Sequence, residues 1–191
     1  MPSIRKLRHD ELLALRLAPE SARAGQRHPV SALLDNVRSL YNVGSIFRTC
    51  DAALVRELIL TGFTPAPPRR EIEKTALGAT ETVPWQYFST PVEAITHLKN
   101  NGTRIIVVEL TDAARPYTAL APADFPCCFV FGNELTGVSP ELLRAADDAV
   151  EIPMYGVKHS LNVAVAAGIV LFEAVNCCIK SGQPASLQAA R

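Results

Sequence analysis

Several familiar signatures are missing from this 191-residue chain. No Cys-x-x-Cys pair occurs, no Walker-type lysine loop, and no Gly-x-Gly-x-x-Gly turn, so zinc fingers, P-loop NTPases and simple dinucleotide folds lose their usual markers. The five cysteines (Cys50, Cys127, Cys128, Cys177, Cys178) are odd in number. Two adjacent pairs sit in apolar surroundings, which fits buried, reduced thiols better than a disulfide framework. The four histidines are scattered and form no ligand pattern, so no metal site is expected. No apolar run reads as a membrane span, because Gly168 and Glu173 interrupt the longest one, and the first residues lack the apolar core of a secretory signal. A cytoplasmic protein is expected.

Net charge is also lacking: 19 basic residues balance 19 acidic ones. The balance is uneven along the chain. Residues 1–28 carry six Arg or Lys against three acids, a surplus of +3 that leaves −3 on the remainder. This reads as a basic, largely helical extension able to attract phosphate. Residues 29–180 then form one domain and 181–191 a flexible tail. An apolar fraction of 48% suffices for a sizeable core.

Short apolar runs alternate with helical periodicity. Strands are predicted at 30–36, 57–61, 104–110, 127–131 and 149–153, with an edge strand at 85–88. Helices are predicted at 43–54, 71–77 and 91–100, after Ser139, and at 161–179. The prolines of Thr64–Arg70 make that stretch a loop. Alternation of this kind implies an α/β fold, a mostly parallel sheet with helices on both faces. Ligands gather beyond the carboxyl ends of such strands.

Three polar clusters follow strands. One is Asn42-Val-Gly-Ser-Ile-Phe-Arg48, the second Phe131-Gly-Asn-Glu134-Leu-Thr-Gly137, and the third Ile152-Pro-Met-Tyr-Gly156-Val-Lys-His-Ser160-Leu-Asn162. They offer glycine backbone, amides, a carboxylate, a serine and an arginine. Such a set holds a polar organic cofactor by main-chain hydrogen bonds and orients a hydroxyl near a cation. It suits group transfer to a hydroxyl, without naming the group. Asn42, Ser160 and Asn162 also suit helix-capping roles, and Glu134 a solvated helix-start acid.

These three segments, in this order, resemble the motifs of the SpoU (TrmH-like) RNA ribose 2′-O-methyltransferases of the SPOUT superfamily. Lys74-Thr-Ala-Leu-Gly-Ala79 and Val83-Pro-Trp resemble a subgroup of that family. The likeness runs from about Ser31 to Ile179. It implies a C-terminal trefoil knot within Phe129 to about Glu173. It also implies S-adenosylmethionine as cofactor, RNA (tRNA before rRNA) as substrate, and a homodimer whose active sites borrow residues from both subunits. Carried over by position, Gly132, Ile152 and Leu161 hold the cofactor, with Leu110 completing the wall. Arg48 is the catalytic arginine, and Asn42, Glu134, Ser160 and Asn162 are its polar companions. A guanidinium resists deprotonation, which favours Arg48 as a fixed cation over a general base. Arg69, Arg70, Lys74 and Lys158 are candidate RNA contacts.

Two departures stand out: Ala164 replaces a serine common in the third motif, and only about thirty residues precede the first strand, so target recognition falls to the basic arm, the dimer surface or a partner. A catalytically silent RNA-binding subunit, and a knotted methyltransferase acting on a base or a non-RNA acceptor, are the alternatives.

Overall fold

A computed structural model describes residues 4–182; the expected tail lies almost entirely outside them. Seven strands form one sheet: β1 (His28–Asp35), β2 (Val55–Thr61), β3 (Trp85–Phe88), β4 (Arg104–Val108), β5 (Arg115–Pro116), β6 (Cys127–Phe131) and β7 (Asp148–Glu151). Their order across the sheet is β3-β2-β1-β6-β4-β7-β5, and every pairing is parallel. β6 inserts between β1 and β4, and β7 between β4 and β5. All carboxyl ends therefore share one rim.

The helices are α1 (His9–Ala14), α2 (Pro19–Ala24), α3 (Leu40–Ala52), α4 (Arg70–Ala76), α5 (Ala79–Thr82), α6 (Pro91–Asn100), α7 (Pro140–Ala145) and α8 (Val163–Lys180). Strand alternation divides the core between two faces. Ala32, Leu34, Phe129 and Phe131 pack with Val43, Phe47, Val170 and Leu171 of α3 and α8. Leu33, Ile59, Cys128 and Val130 point the other way, onto Ala94, Leu98 and Leu142 of α6 and α7. Both faces are covered, which is why the central strands read as continuous apolar runs.

The 18 residues of α8 have a mean hydropathy of 1.8, long and apolar enough by composition to cross a membrane, contrary to the expectation that no stretch qualifies. Gly168 and Glu173 do not interrupt the helix. Its buried residues, among them Ala167, Leu171, Ala174 and Cys178, belong to the protein core.

Other sequence expectations shift in instructive ways. α8 begins at Val163 rather than 161, because Asn162, not Ser160, caps it: Asn162 Oδ1 accepts the Ala164 N–H at 2.9 Å. α3 begins earlier than expected. Ser39 is its cap, accepting the Asn42 N–H at 3.3 Å, which leaves the Asn42 side chain free for other partners. Ser139 stands at the N-cap position of α7, yet its hydroxyl makes no capping bond. β5 escapes sequence detection because two residues carry no periodicity.

The N-terminal arm is helical in part, but its charge is largely engaged. Arg5 pairs with Glu11 at 2.7 Å, and Arg23 Nε donates to the Glu81 carbonyl at 2.9 Å. Arg27 is buried, and its guanidinium donates to the carbonyls of Val55, Ala22 and Thr82 at 3.1, 2.9 and 2.6 Å. Arg27 thus pins the arm to the body, a structural task rather than phosphate attraction.

Candidate active site

The rim carries a cavity of about 660 Å3, bounded by the ends of β4, β6 and β7 and by the segment before α8. Leu110, Gly132, Ile152 and Leu161 line it together with Glu134, Ser160 and Asn162. Seven of the nine sequence-predicted residues therefore meet at one place, although they come from segments far apart in the chain.

The loop after β6 is shaped by Asn133. Its backbone exchanges two hydrogen bonds with Gly137, at 3.0 and 2.9 Å. Its side-chain oxygen accepts from the amides of Leu135 and Thr136 at 2.8 and 3.3 Å, and its Nδ2 donates to the Asn36 carbonyl at 2.6 Å. Gly132 is obligatory here, since a Cβ would sit 2.2 Å from the Gly137 carbonyl carbon and 2.3 Å from the Val138 nitrogen.

Two further acids stabilise the rim, and sequence reasoning passed over both. Asp35, only 1% exposed, accepts the Ser139 N–H at 2.7 Å and the Asn36 side chain at 2.8 Å. Glu109, in the cavity wall, accepts the amides of Leu110 and Val138 at 3.0 and 3.1 Å. The available signal was a lone acid at the end of a buried strand, where only a partnered carboxylate is tolerated.

Glu134 reaches across to the start of α3. Its carboxylate accepts the backbone N–H groups of Arg38 and Ser39 at 3.0 and 3.2 Å and the Asn42 side chain at 3.0 Å. Asn42 Oδ1 in turn accepts from Asn162 Nδ2 at 3.1 Å. Partial burial opposes ionisation of Glu134. The amides of Arg38, of Glu134 itself and of Ser39, with the Asn42 side chain, outweigh it and hold the carboxyl below its ordinary range. An ionised Glu134 thus fixes both asparagines. Asn42 joins the cavity through this network without lining it.

Arg48 does not line this cavity. It is exposed on α3, six residues beyond Asn42, and among the described residues its side chain has no hydrogen-bond or ion-pair partner. It borders a second cavity of about 400 Å3 with Ser45, Thr49, Lys74, Thr75 and Phe172. Gly44 brings that wall together: a Cβ there would meet the Ile72 carbonyl oxygen at 2.3 Å, so α4 packs directly on the α3 backbone. Within the chain, Arg48 and the larger cavity are separate.

Residues 29–172 match the family profile of the SpoU rRNA methylase family. The chain belongs to that family. A relative, the tRNA (guanosine(18)-2′-O)-methyltransferase of Aquifex aeolicus, is 38% identical over 141 residues, covering 73% of this chain and 65% of its own length. The chain thus spans just under two thirds of that relative. The crystal structure of the A. aeolicus TrmH/SpoU tRNA modifying enzyme superposes with a TM-score of 0.77 at 31% identity, covering 89% of this chain and 86% of that one. An AdoMet-bound rRNA methyltransferase of Sinorhizobium meliloti superposes at 0.74, also at 31% identity, over 84% and 61%.

Proposed function

We propose that the protein is an S-adenosylmethionine-dependent RNA 2′-O-methyltransferase, acting on tRNA in preference to rRNA. The observation that carries this reading is the hydrogen-bonded series Glu134–Asn42–Asn162 at the edge of a cavity walled by Leu110, Gly132, Ile152 and Leu161. Family membership and the activities named for the relatives, tRNA and rRNA methylation, support it.

The cavity suits the cofactor. Its volume lies in the range of small-molecule sites. Its polar wall includes Glu151, a half-buried carboxylate with no side-chain partner among the described residues, beside Ile152. An acid so placed complements a ligand bearing ammonium and sulfonium charge. When bound, the donor supplies an electrophilic methyl group and leaves as a neutral thioether.

The protein's tasks are then to align the ribose hydroxyl and to manage its proton. Asn162 Nδ2 has a second hydrogen beyond the one given to Asn42, and the exposed Ser160 hydroxyl has no partner among the described residues. Both are available to the 2′ oxygen. Arg48, a cation, stabilises the alkoxide as it develops, and the hydroxyl proton passes to solvent water at the exposed rim beside Ser160.

Arg48 acts from a second copy of the chain in this reading. The outer face of α8 carries Val165, Phe172 and Ile179, each about half exposed and seven residues apart, with exposed Tyr41 on the neighbouring α3. Phe172 also borders the Arg48 cavity. A homodimer burying this stripe brings each Arg48 to the partner's cavity. The insertion of β6 and β7 between earlier strands, followed by the return of α8 onto β1, supports a trefoil knot in this region. Residues 1–28 serve as a helical extension pinned by Arg27 to a methyltransferase domain of residues 29–180.

Incubation with methyl-labelled cofactor and unmodified tRNA tests the reading. Label is expected in nuclease-resistant 2′-O-methyl dinucleotides. Label confined to bases, or RNA binding with no transfer, would overturn it.

A further inference from the structure

The turn after β2 is held more firmly than its place on the surface demands. The Phe63 N–H donates to Asn36 Oδ1 at 2.9 Å, and the Gly62 carbonyl accepts the Tyr87 hydroxyl at 2.8 Å. The buried Thr64 hydroxyl donates to the Leu34 carbonyl and accepts the Val37 N–H, both at 3.1 Å. Gly62 adopts φ +60°, and a Cβ there would meet Asn36 Oδ1 at 2.2 Å, so only glycine lets the two loops close. Yet the side chain this turn presents, Phe63, is 88% exposed.

A bare phenyl on a fixed turn gains nothing from the core. Its surroundings indicate what it serves. Asn36, which holds the Phe63 amide, gives its own carbonyl to Asn133 in the wall of the larger cavity. Phe63 therefore belongs to the same rim as the candidate active site. The loop then leads through prolines to Arg69 and Arg70, both exposed, whose side chains have no partner among the described residues. A fixed, exposed aromatic ring followed six and seven residues on by uncommitted guanidinium groups is a combination suited to single-stranded nucleic acid, bases on the ring and phosphates on the cations.

We propose that Phe63 is a stacking platform for an unpaired base of the acceptor RNA, with Arg69 and Arg70 gripping the adjoining phosphates. This rests on the RNA methyltransferase reading above and adds how the target strand is held. A protein partner fits less well, because the loop carrying Phe63 leads to two uncommitted cations, and the one aromatic shown bonded to this turn, Tyr87, is itself half exposed rather than part of a ring that shields a protein hot spot from water. The fixed turn also spares the complex the entropy of ordering it.

The test compares Phe63→Leu, Phe63→Trp and the Arg69→Ala/Arg70→Ala double variant in binding to unmodified tRNA across a salt series. Light scattering and cofactor calorimetry accompany each. Phe63→Leu is expected to weaken tRNA binding on the order of 10-fold, while Phe63→Trp, which keeps the π face, binds like the parent. The arginine pair is expected to reduce the salt slope by about 2. Oligomeric state and cofactor affinity stay unchanged in all three. Parent-like tRNA binding by Phe63→Leu would overturn the proposal, as would an altered oligomeric state accompanying its loss of affinity. Failure of the unaltered protein to methylate RNA would instead overturn the underlying reading, and that is read from transfer, independently of these affinities.

Discussion

Asn42 and Asn162 lie 120 positions apart in the chain, and their side-chain amides meet at 3.1 Å. One sits in the first turn of α3 and the other caps α8. The contact therefore couples the packing of two helices to the geometry of the candidate active site.

Replacing Asn162 by Ser separates those two tasks. A serine hydroxyl still caps α8 but is too short to reach Asn42. Stability to urea is expected within a few tenths of a kcal/mol of the parent, since Ser and Asn are comparable caps. Methyl transfer is expected to fall on the order of 100-fold. Asn162→Ala is expected to lose about 1 kcal/mol as well.

Gly132→Ala forces a methyl group into backbone that has no slack. Loss of cofactor binding in calorimetry is expected, with destabilisation of about 1–3 kcal/mol from overpacking. Retained affinity would show that the loop after β6 has freedom that the Asn133–Gly137 bonds deny it.

Mixing inactive variants tests the proposal that Arg48 acts from a second copy. Arg48→Ala keeps an intact cavity, and Gly132→Ala keeps an intact arginine. Each alone is expected to be inactive. Co-refolded together they are expected to regain transfer, because the mixed dimer pairs one sound cavity with one sound Arg48. No recovery would place both functions in the same subunit.

Acid titration reports on Glu134. Its carboxyl is held below the ordinary value, so its stabilising effect is complete above the unfolded-state pKa, near 4.5. As pH falls from there through the folded-state pKa, the unfolded chain takes up the proton first and stability declines. Asp124 and Asp147 are shifted the same way. Urea midpoints are expected to decline gently from near neutrality, where burial holds His28 below its ordinary pKa and the unfolded imidazole takes up its proton first, and to drop more steeply below about pH 5 as the carboxylates follow. Glu134→Gln is expected to shallow that drop without abolishing it.

The thiols should be quiet. Burial raises the pKa of Cys50, Cys127 and Cys128, and puts Cys178 at about 11. Cys177 alone among the five is partly exposed. Ellman's reagent at pH 8 is expected to modify Cys177 first and the others only on unfolding.

Much of this was legible beforehand. The central strands announce themselves by apolar runs, and α6 by Pro91 and the Asn-Asn-Gly stop. The gathering of Gly132, Glu134, Ile152 and Asn162 follows from polar breaks after parallel strands. Three features were not legible. Pairwise hydrogen bonds decide caps, so Ser39 and Asn162 could not be told from Asn42 and Ser160 by residue type. Buried acids such as Asp35 and Glu109 look like loop residues until their amide partners are in place. The separation of Arg48 from the cavity is a matter of helix direction, because six residues along α3 amount to about 9 Å of travel away from the rim.

Because every strand points the same way, the two ends of the sheet have different freedoms. The amino-terminal end is laced by Arg104 and Arg115 to Asp124 and Asp148 at 2.8–3.4 Å and lies opposite the rim that carries the larger cavity. A dye or surface tether attached there would leave the opposite edge and its cavity clear. Changes to loops at that opposite edge, by contrast, act directly on the cavity while the scaffold beneath them stays as it is.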